Sequence, residues 1–544
     1  MTFGNRKFAG FLGAATVVII AEYVLVLGDC VISGRVLGET ALGAMNLLMP
    51  VFSTVSFFTW LLAVGTSIVY SEAMGRTASG QAARLAGQGL AAAVVLGLVL
   101  SGATALLRSA YLGFMAPDGA SLRFAEQYWT WYPVVVVLES FDMVLLYLVY
   151  TDGGNRACQV SYVGQVVVNI VGSYLLCAHT GLGMGGISLG TAIAYLFGIL
   201  LLVPRLRSRR CGLRPRLAFM PRELLRSLRA SFGDASAGLF HALLFFVVNA
   251  YVLRRWGSGT LPIAAVVFCI IRLTVFFNGV GIALQPLETV YYGEENPTGI
   301  RQLVRFAAGV AVAEGLAISA LVLAFPGALV ALVGIEEPSL VAASCRAARL
   351  TVVGLVGYAL TYMLNSHFQY IGRPLRSVVL TALAFFVFPA ALVPALGAFL
   401  GGDGVWLAVA TGPLCALAAI FPVVSFRRAS AHEMAMTTVD LGKDDSLALA
   451  CGWLAQALQR ARVESARAEE VLPVVARAVE FVRSANARGK VAMEISVDCR
   501  KDVRIILRDD GDLVRLPEGG GVEIVHLPAA GFNRHILTWR RNMV

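Results

Sequence analysis

For most of its length the chain alternates long apolar runs with short polar breaks. A helix needs about 20 apolar residues to cross the hydrocarbon core of a bilayer, and about twelve runs reach that length. They fall near 9–33, 42–70, 85–112, 123–149, 158–179, 184–204, 226–253, 260–288, 302–333, 340–369, 376–400 and 404–426. The pattern predicts an all-α polytopic membrane protein of about twelve transmembrane helices, in two six-helix lobes, 1–204 and 226–427. A loop at 205–225 joins them. After Arg428 the pattern changes. Residues 428–445 are polar and read as a linker, and Ser446–Ala487 has a helical period with dense charge. Val491–Val497 and Val503–Leu507 alternate as strands do, so 446–544 is expected to form a small soluble α+β domain.

Composition supports this reading. The 544 residues are 58% hydrophobic and 14% charged, with a mean hydropathy of +0.74. A soluble domain carries about 25% charge. The net charge of +10 does not point to nucleic acid, because the arginines sit between apolar runs. Pro204–Arg229 holds Arg205, Arg207, Arg209, Arg210, Arg214, Arg216, Arg222, Arg226 and Arg229 against one acid, Glu223. Under the positive-inside rule this places the loop and both termini in the cytoplasm, and the expected location is the cytoplasmic (inner) membrane of a bacterium. The first run starts within ten residues and is long enough to span, so it is expected to stay as a helix. Nine cysteines without metal-ligand spacing are expected to be free thiols. No Gly-x-x-x-x-Gly-Lys-[Ser/Thr] loop is present, which argues against an ATP-driven pump.

Acids inside apolar runs are the candidate chemistry. A carboxylate in hydrocarbon costs at least ~2.5 kcal/mol, so each needs a reason. Glu22 and Asp29, seven apart, share a face of the first helix and suggest a site that takes up a proton or cation. The plainer alternative puts both near the membrane surface, reached by water. Glu139 and Asp142 form a second pair in the fourth run. The seventh and tenth runs are expected to lack deep acids and to offer His241, Asn249, Asn365 and His367 instead, the histidines as packing residues. A weak repeat lays Asp29–Leu85 over Asn249–Phe306 at an offset of roughly 220 residues, matching Gly75 to Gly293. Six crossings per half would make the repeats parallel, with a cleft between them.

Several stretches resemble the MATE family of multidrug exporters. They are Asp29–Gly38 with Ala41–Ala44 and Pro50, Gly65–Ser67 with Gly75-Arg76, and Asn169-Ile170 with Gly183–Ile187. In the second half, Gly281–Pro286, Tyr292–Glu294 and Gly404–Trp406 carry the same resemblance, which covers about residues 8–427. It implies a twelve-helix bundle with alternating access that exports organic cations against a proton or sodium gradient. Asp29 falls on the family's first-helix acid and Asn169 on its fifth-helix Asn, a possible Na+ position. Where several members carry an Asp four residues later, this chain has Ser173; Glu139 and Asp142 are the candidate replacements. Gln285, His241, Asn249 and Asn365 are candidates for the substrate cleft, and Pro133, Pro286, Pro389 and Pro394 for helix kinks.

The tail resembles the histidine-kinase-like ATP-binding domain of anti-sigma factors of the RsbW type, through Glu469-Glu470, Arg508–Gly511, the glycines at 519–521 and Gly531–Asn533. That resemblance assigns Asp509 to adenine, with Gly511, Gly519 and Gly521 around a nucleotide. Val474 stands where the family's magnesium-binding helix Asn is expected, so the domain is expected to be degenerate. Together these readings describe a monomeric secondary antiporter rather than an enzyme. Its partners are the bilayer, lipophilic cations and, for the tail, a regulatory protein; H+ or Na+ is the coupling ion and no cofactor is needed. The rival readings are a flippase for a lipid-linked sugar and a membrane sensor that signals through the tail.

Overall fold

A computed structural model describes residues 2–115, 119–206, 213–257, 260–333, 335, 337–420, 434–443, 445–486, 491–499, 502–512, 514–516, 522–527 and 532–539. Eleven helices among them are long and apolar enough to cross a membrane. They stand beside α1 (Phe3–Ile32), 30 residues long, which holds the first apolar run. The protein is a multi-pass membrane protein with the expected helical architecture. The chain divides into two compact units.

The first unit spans Met1–Ser227, Pro286–Leu303 and Arg427–Val544. Its membrane part holds α1, α2 (Glu39–Gly75), α3 (Ser79–Met115), α4 (Gly119–Trp129), α5 (Tyr132–Thr151), α6 (Asn155–His179) and α7 (Met184–Leu206). The single run expected at 123–149 is two helices, because the chain breaks at Thr130-Trp131. Pro133 therefore lies in the first turn of α5, where its missing N–H costs nothing, and does not kink it. On α3, Val95, Leu98, Val99, Leu106 and Leu107 are exposed, as a lipid-facing surface requires. The α6–α7 seam is built from small residues. A Cβ on Gly186 would lie 2.5 Å from the Leu176 carbonyl carbon, and one on Gly190 would lie 2.6 Å from the Ser173 nitrogen. Glycine four apart lets two backbones approach closely in a membrane.

The second unit spans Leu228–Gln285 and Val304–Phe426. It contains most of α8 (Pro221–Trp256), then α9 (Leu261–Leu273) and most of α10 (Asn278–Gly293) and α11 (Pro297–Ala324). The chain continues through α12 (Pro326–Val333), α13 (Pro338–Thr351), α14 (Leu355–Tyr370), α15 (Pro374–Ala382), α16 (Phe388–Leu400) and α17 (Gly402–Ile420). Four expected runs are interrupted here: α9 meets α10 through a 3₁₀ turn, α11 gives way to α12 at Phe325, α13 meets α14 through a second 3₁₀ turn, and α15 meets α16 through a π turn. Pro389 starts α16 just after that π turn, while Pro286 and Pro394 lie inside helices.

The tail, part of the first unit, is a five-stranded antiparallel sheet in the order β1-β2-β3-β5-β4, with two helices. The strands are β1 (Ala435–Asp440), β2 (Ala492–Asp498), β3 (Val503–Asp509), β4 (Glu523–His526) and β5 (Asn533–Trp539). β1 falls within the stretch expected to be a linker, pairing as an edge strand with β2. The helical region is α18 (Ser446–Arg460) and α19 (Ser465–Ala485), separated where Arg462 takes a left-handed φ of 56°. Met493, Ile495, Val497, Ile505, Leu507 and Leu537 pack against these helices. Strand alternation sends their neighbours, Glu494, Arg508 and Arg534, to the opposite face. All three are buried there.

Candidate functional site

Asp29 lies one turn before the end of α1, which closes in a π turn at Ser33–Leu37. It is 4% exposed. The facing helix α6 buries Ser161, Gln165, Asn169 and Ser173 at intervals of four, a polar stripe along one face. Close packing at Gly190 brings Thr191 of α7 against the same stripe. The Thr191 hydroxyl donates to Asp29 Oδ2 at 3.1 Å and accepts from Asn169 Nδ2 at 3.0 Å. Ser173 Oγ lies 3.4 Å from Asp29 Oδ1 and 3.4 Å from Asn169 Nδ2. Among the described residues no cation pairs with Asp29, and the buried Asn169 Oδ1 has no hydrogen-bond partner. The acceptor oxygens of Asp29, Asn169, Ser173 and Thr191 are hard-cation ligands by type. No cluster of three or more His, Cys, Asp or Glu suited to a metal occurs among the described residues.

The structure brings Asp29, Asn169 and Ser173 together and adds Thr191, which the sequence reading missed. The side chain of Glu22 lies outside the described residues. Asp142 and Glu139 are buried but differently partnered. Gln165 Nε2 donates to Asp142 Oδ2 at 3.1 Å and to Ser161 Oγ at 3.2 Å, so the polar stripe of α6 touches both Asp29 and Asp142. Ser56 Oγ donates to Glu139 Oε1 at 3.0 Å. Beside Asp29 stands an aromatic group, in which the Phe52 ring lies 5.3 Å from Tyr128 and 5.0 Å from Tyr132.

In the second unit the expectation that the seventh run lacks an acid is corrected. Asp234 of α8 accepts from Asn365 Nδ2 at 2.8 Å, and Ser377 bonds Asn365 Oδ1. The signal was an acid inside an apolar run, masked by its nearness to Arg226 and Arg229. His241 stacks on Phe385 with centroids 4.2 Å apart and bonds the Ala237 carbonyl, so it is a packing residue. Gln285 is buried; Asn249, expected in a cleft, is exposed, on a helix face with Leu239, Leu243, Phe246 and Leu253.

The tail residues assigned to nucleotide are otherwise engaged. Asp509 Oδ1 accepts from Asn533 Nδ2 at 2.8 Å and from the Gly511 amide at 3.0 Å, and Oδ2 lies 3.2 Å from His535 Nε2. Of the oxygens that would face an adenine, Oδ1 holds the turn after β3 and Oδ2 faces His535 on β5. Gly519 and Gly521 lie outside the described residues.

A multi-pass helical bundle with a buried acid among neutral oxygen atoms is an arrangement that suits a membrane transporter. The chain belongs to the MatE family, whose model matches residues 14–175 and 236–394. No curated protein sequence matches it. Among solved structures it is similar to a MOP superfamily transporter from Pyrococcus furiosus, at 19% identity and a TM-score of 0.70, covering 77% of this chain and 95% of that one. It is similar to an outward-facing multidrug resistance MATE transporter of the MOP superfamily at 20% identity, with a TM-score of 0.70 and the same coverage. It also resembles the Vibrio cholerae MATE transporter VcmN in its bent form, at 18% identity and a TM-score of 0.70, again covering 77% and 95%. At these identities the likeness defines the fold. Neither matched family segment reaches the tail.

Proposed function

We propose that this transporter is a secondary antiporter that exports lipophilic organic cations in exchange for H+ or Na+, with both termini in the cytoplasm of a bacterium. The observation that carries the reading is Asp29, a buried carboxylate whose described partners are all neutral. Such a group is stable only when a proton or a metal cation neutralises it. Loading Asp29 removes buried charge and lets α1 repack against α6 and α7; unloading reverses this. Asn169 Oδ1 is available to a cation, and Asp142, reached through Gln165, is the second acid of the site. The aromatic faces of Phe52, Tyr128 and Tyr132 suit an organic cation.

Asp29→Asn tests the reading in proteoliposomes with imposed proton or sodium gradients. The expected result is loss of gradient-driven dye efflux; full retention overturns it. The tail we read as a relative of the histidine-kinase-type ATP-binding fold that no longer binds nucleotide, since the Asp509 carboxylate is already engaged.

A further inference from the structure

The buried polar face of the tail sheet covers the helix ends of the membrane part. Thr438, Glu494, Arg508 and Arg534 pair in register across β1, β2, β3 and β5, forming one row. Every member of the row touches the membrane part. Thr438 Oγ1 accepts from the Phe3 amide at 3.1 Å. Glu494 accepts from the Tyr291 hydroxyl at 3.1 Å and from Arg508 Nη1 at 2.7 Å. Arg508 bonds Glu294 through Nη2, and its guanidinium lies 5.1 Å from the Tyr291 ring centre. Arg534 Nη1 donates to Glu294 Oε1 at 2.9 Å and to the Gly75 carbonyl at 3.2 Å, while Nη2 bonds the Met74 carbonyl. Both arginines are 0% exposed.

One guanidinium thus bridges the C-terminal ends of α2 and α10, the matched positions of the internal repeat. Those ends are in direct contact. A Cβ on Gly75 would lie 2.5 Å from the Val290 carbonyl oxygen and 2.9 Å from Gly293 Cα. Ser71 bonds Thr289 across an offset of 218 residues, the offset that also relates Gly75 to Gly293. The left-handed residues Thr77 and Glu295 keep the same spacing. The last carbonyls of a helix carry partial negative charge, which suits an arginine.

We propose that the tail is an inhibitory clamp: by holding the ends of α2 and α10 together through Arg534 and Arg508, it keeps the cytoplasmic side of the transport path shut. Resting on the alternating-access reading above, this makes release of one helix end a required step of each cycle. The grip is geometric, because Arg534 reaches three acceptors, two carbonyls of α2 and the Glu294 carboxylate just after α10, and cannot keep all of them if the ends part. Separation would also leave a buried arginine facing fewer acceptors, an unfavourable state that biases the helix ends towards contact.

The test is Arg534→Met in the full chain, reconstituted in nanodiscs for hydrogen exchange and in proteoliposomes for efflux. The expected result is exchange of amides in 71–78 and 289–297 faster by roughly tenfold, as for loss of about one set of charge-assisted hydrogen bonds, together with faster efflux. Arg534→Lys, which keeps the charge without the planar fork, is expected to fall between the two, and it serves if the methionine variant does not fold. Unchanged exchange overturns the clamp, and so does faster exchange with slower efflux, which would make the tail a strut. Exchange is read without gradient or substrate, so a failure of the antiport reading at Asp29 leaves this result separate.

Discussion

The Thr191 hydroxyl donates to the Asp29 carboxylate across 162 residues of chain, at 3.1 Å. It can do so because Gly190 lets α7 lie against α6, and because Asn169 donates to the same oxygen from behind. The hydroxyl proton is shared between the acid and the Ile187 carbonyl, 3.0 Å away on its own helix. Thr191→Val keeps the shape and removes this donor. Removing a donor from the ionised carboxylate is expected to lower the proton concentration that half-drives efflux by roughly tenfold. Losing a hydroxyl ligand is expected instead to raise the half-driving sodium concentration by a similar factor. Thr191→Ser is expected to retain most of the function. Efflux from proteoliposomes against graded proton or sodium gradients measures both.

Gly75 and Gly293 meet where a methyl group has no room, since the atoms it would strike belong to backbone. Gly75→Ala is expected to lower thermal stability by about 1–3 kcal/mol through overpacking. Gly13 of α1 has nothing within 4 Å of an added Cβ. Gly13→Ala is expected to be neutral or to stabilise by up to about 1 kcal/mol, as alanine does in a helix interior. Thermal unfolding of the purified variants distinguishes the two sites, and equal midpoints would remove the steric account.

The helices were legible because hydrocarbon thickness sets a run length, and Asp29 because an acid is costly there; Asn169 and Ser173 came from the resemblance to the MATE family. Thr191 left no such mark, being a small polar residue in an apolar run beside a glycine. The break at Thr130-Trp131 hides inside continuous hydrophobicity, which carries no information about chain direction. In the tail, charges at alternate strand positions suggest a solvated face, yet Arg508 and Arg534 are among the largest fully buried side chains. What covers them lies far back in the chain: Glu294 is 214 residues from Arg508, and Met74 is 460 from Arg534. No local pattern encodes a partner at that separation. β1 escaped notice because its Thr-Thr pair reads as polar linker.

Cys499 follows β2 and is half-buried beside Asp498. Burial first, and then the neighbouring carboxylate, push its thiol up to about 11. The thiolate is the reacting form, so alkylation is expected to be slow at neutral pH. Its rate should rise by about tenfold per pH unit and level off only near the raised value, whereas an unperturbed thiol levels off near 8.5. Iodoacetamide labelling followed by mass spectrometry of the Cys499 peptide measures this. A plateau below pH 9 would mean that the end of β2 is open to water.

Asp509 provides the last test, because its resemblance-based role and its observed role predict opposite results. As an adenine acid it would leave an oxygen for the base; here Asn533, Gly511 and His535 take up both. The intact protein is therefore expected to show no saturable binding of a fluorescent ATP analogue, with or without Mg2+. Asp509→Ala should instead destabilise the turn after β3, each lost hydrogen bond to the charged group being worth about 1.5–3 kcal/mol. The same turn positions Asp510, which pairs with Arg6 and lies 3.8 Å from Lys7 at the start of α1. Limited proteolysis should therefore cut the tail of the alanine variant faster while leaving the membrane helices intact. Saturable nucleotide binding that Asp509→Ala abolishes, with proteolysis unchanged, would restore the ATP-binding role and reject the structural one.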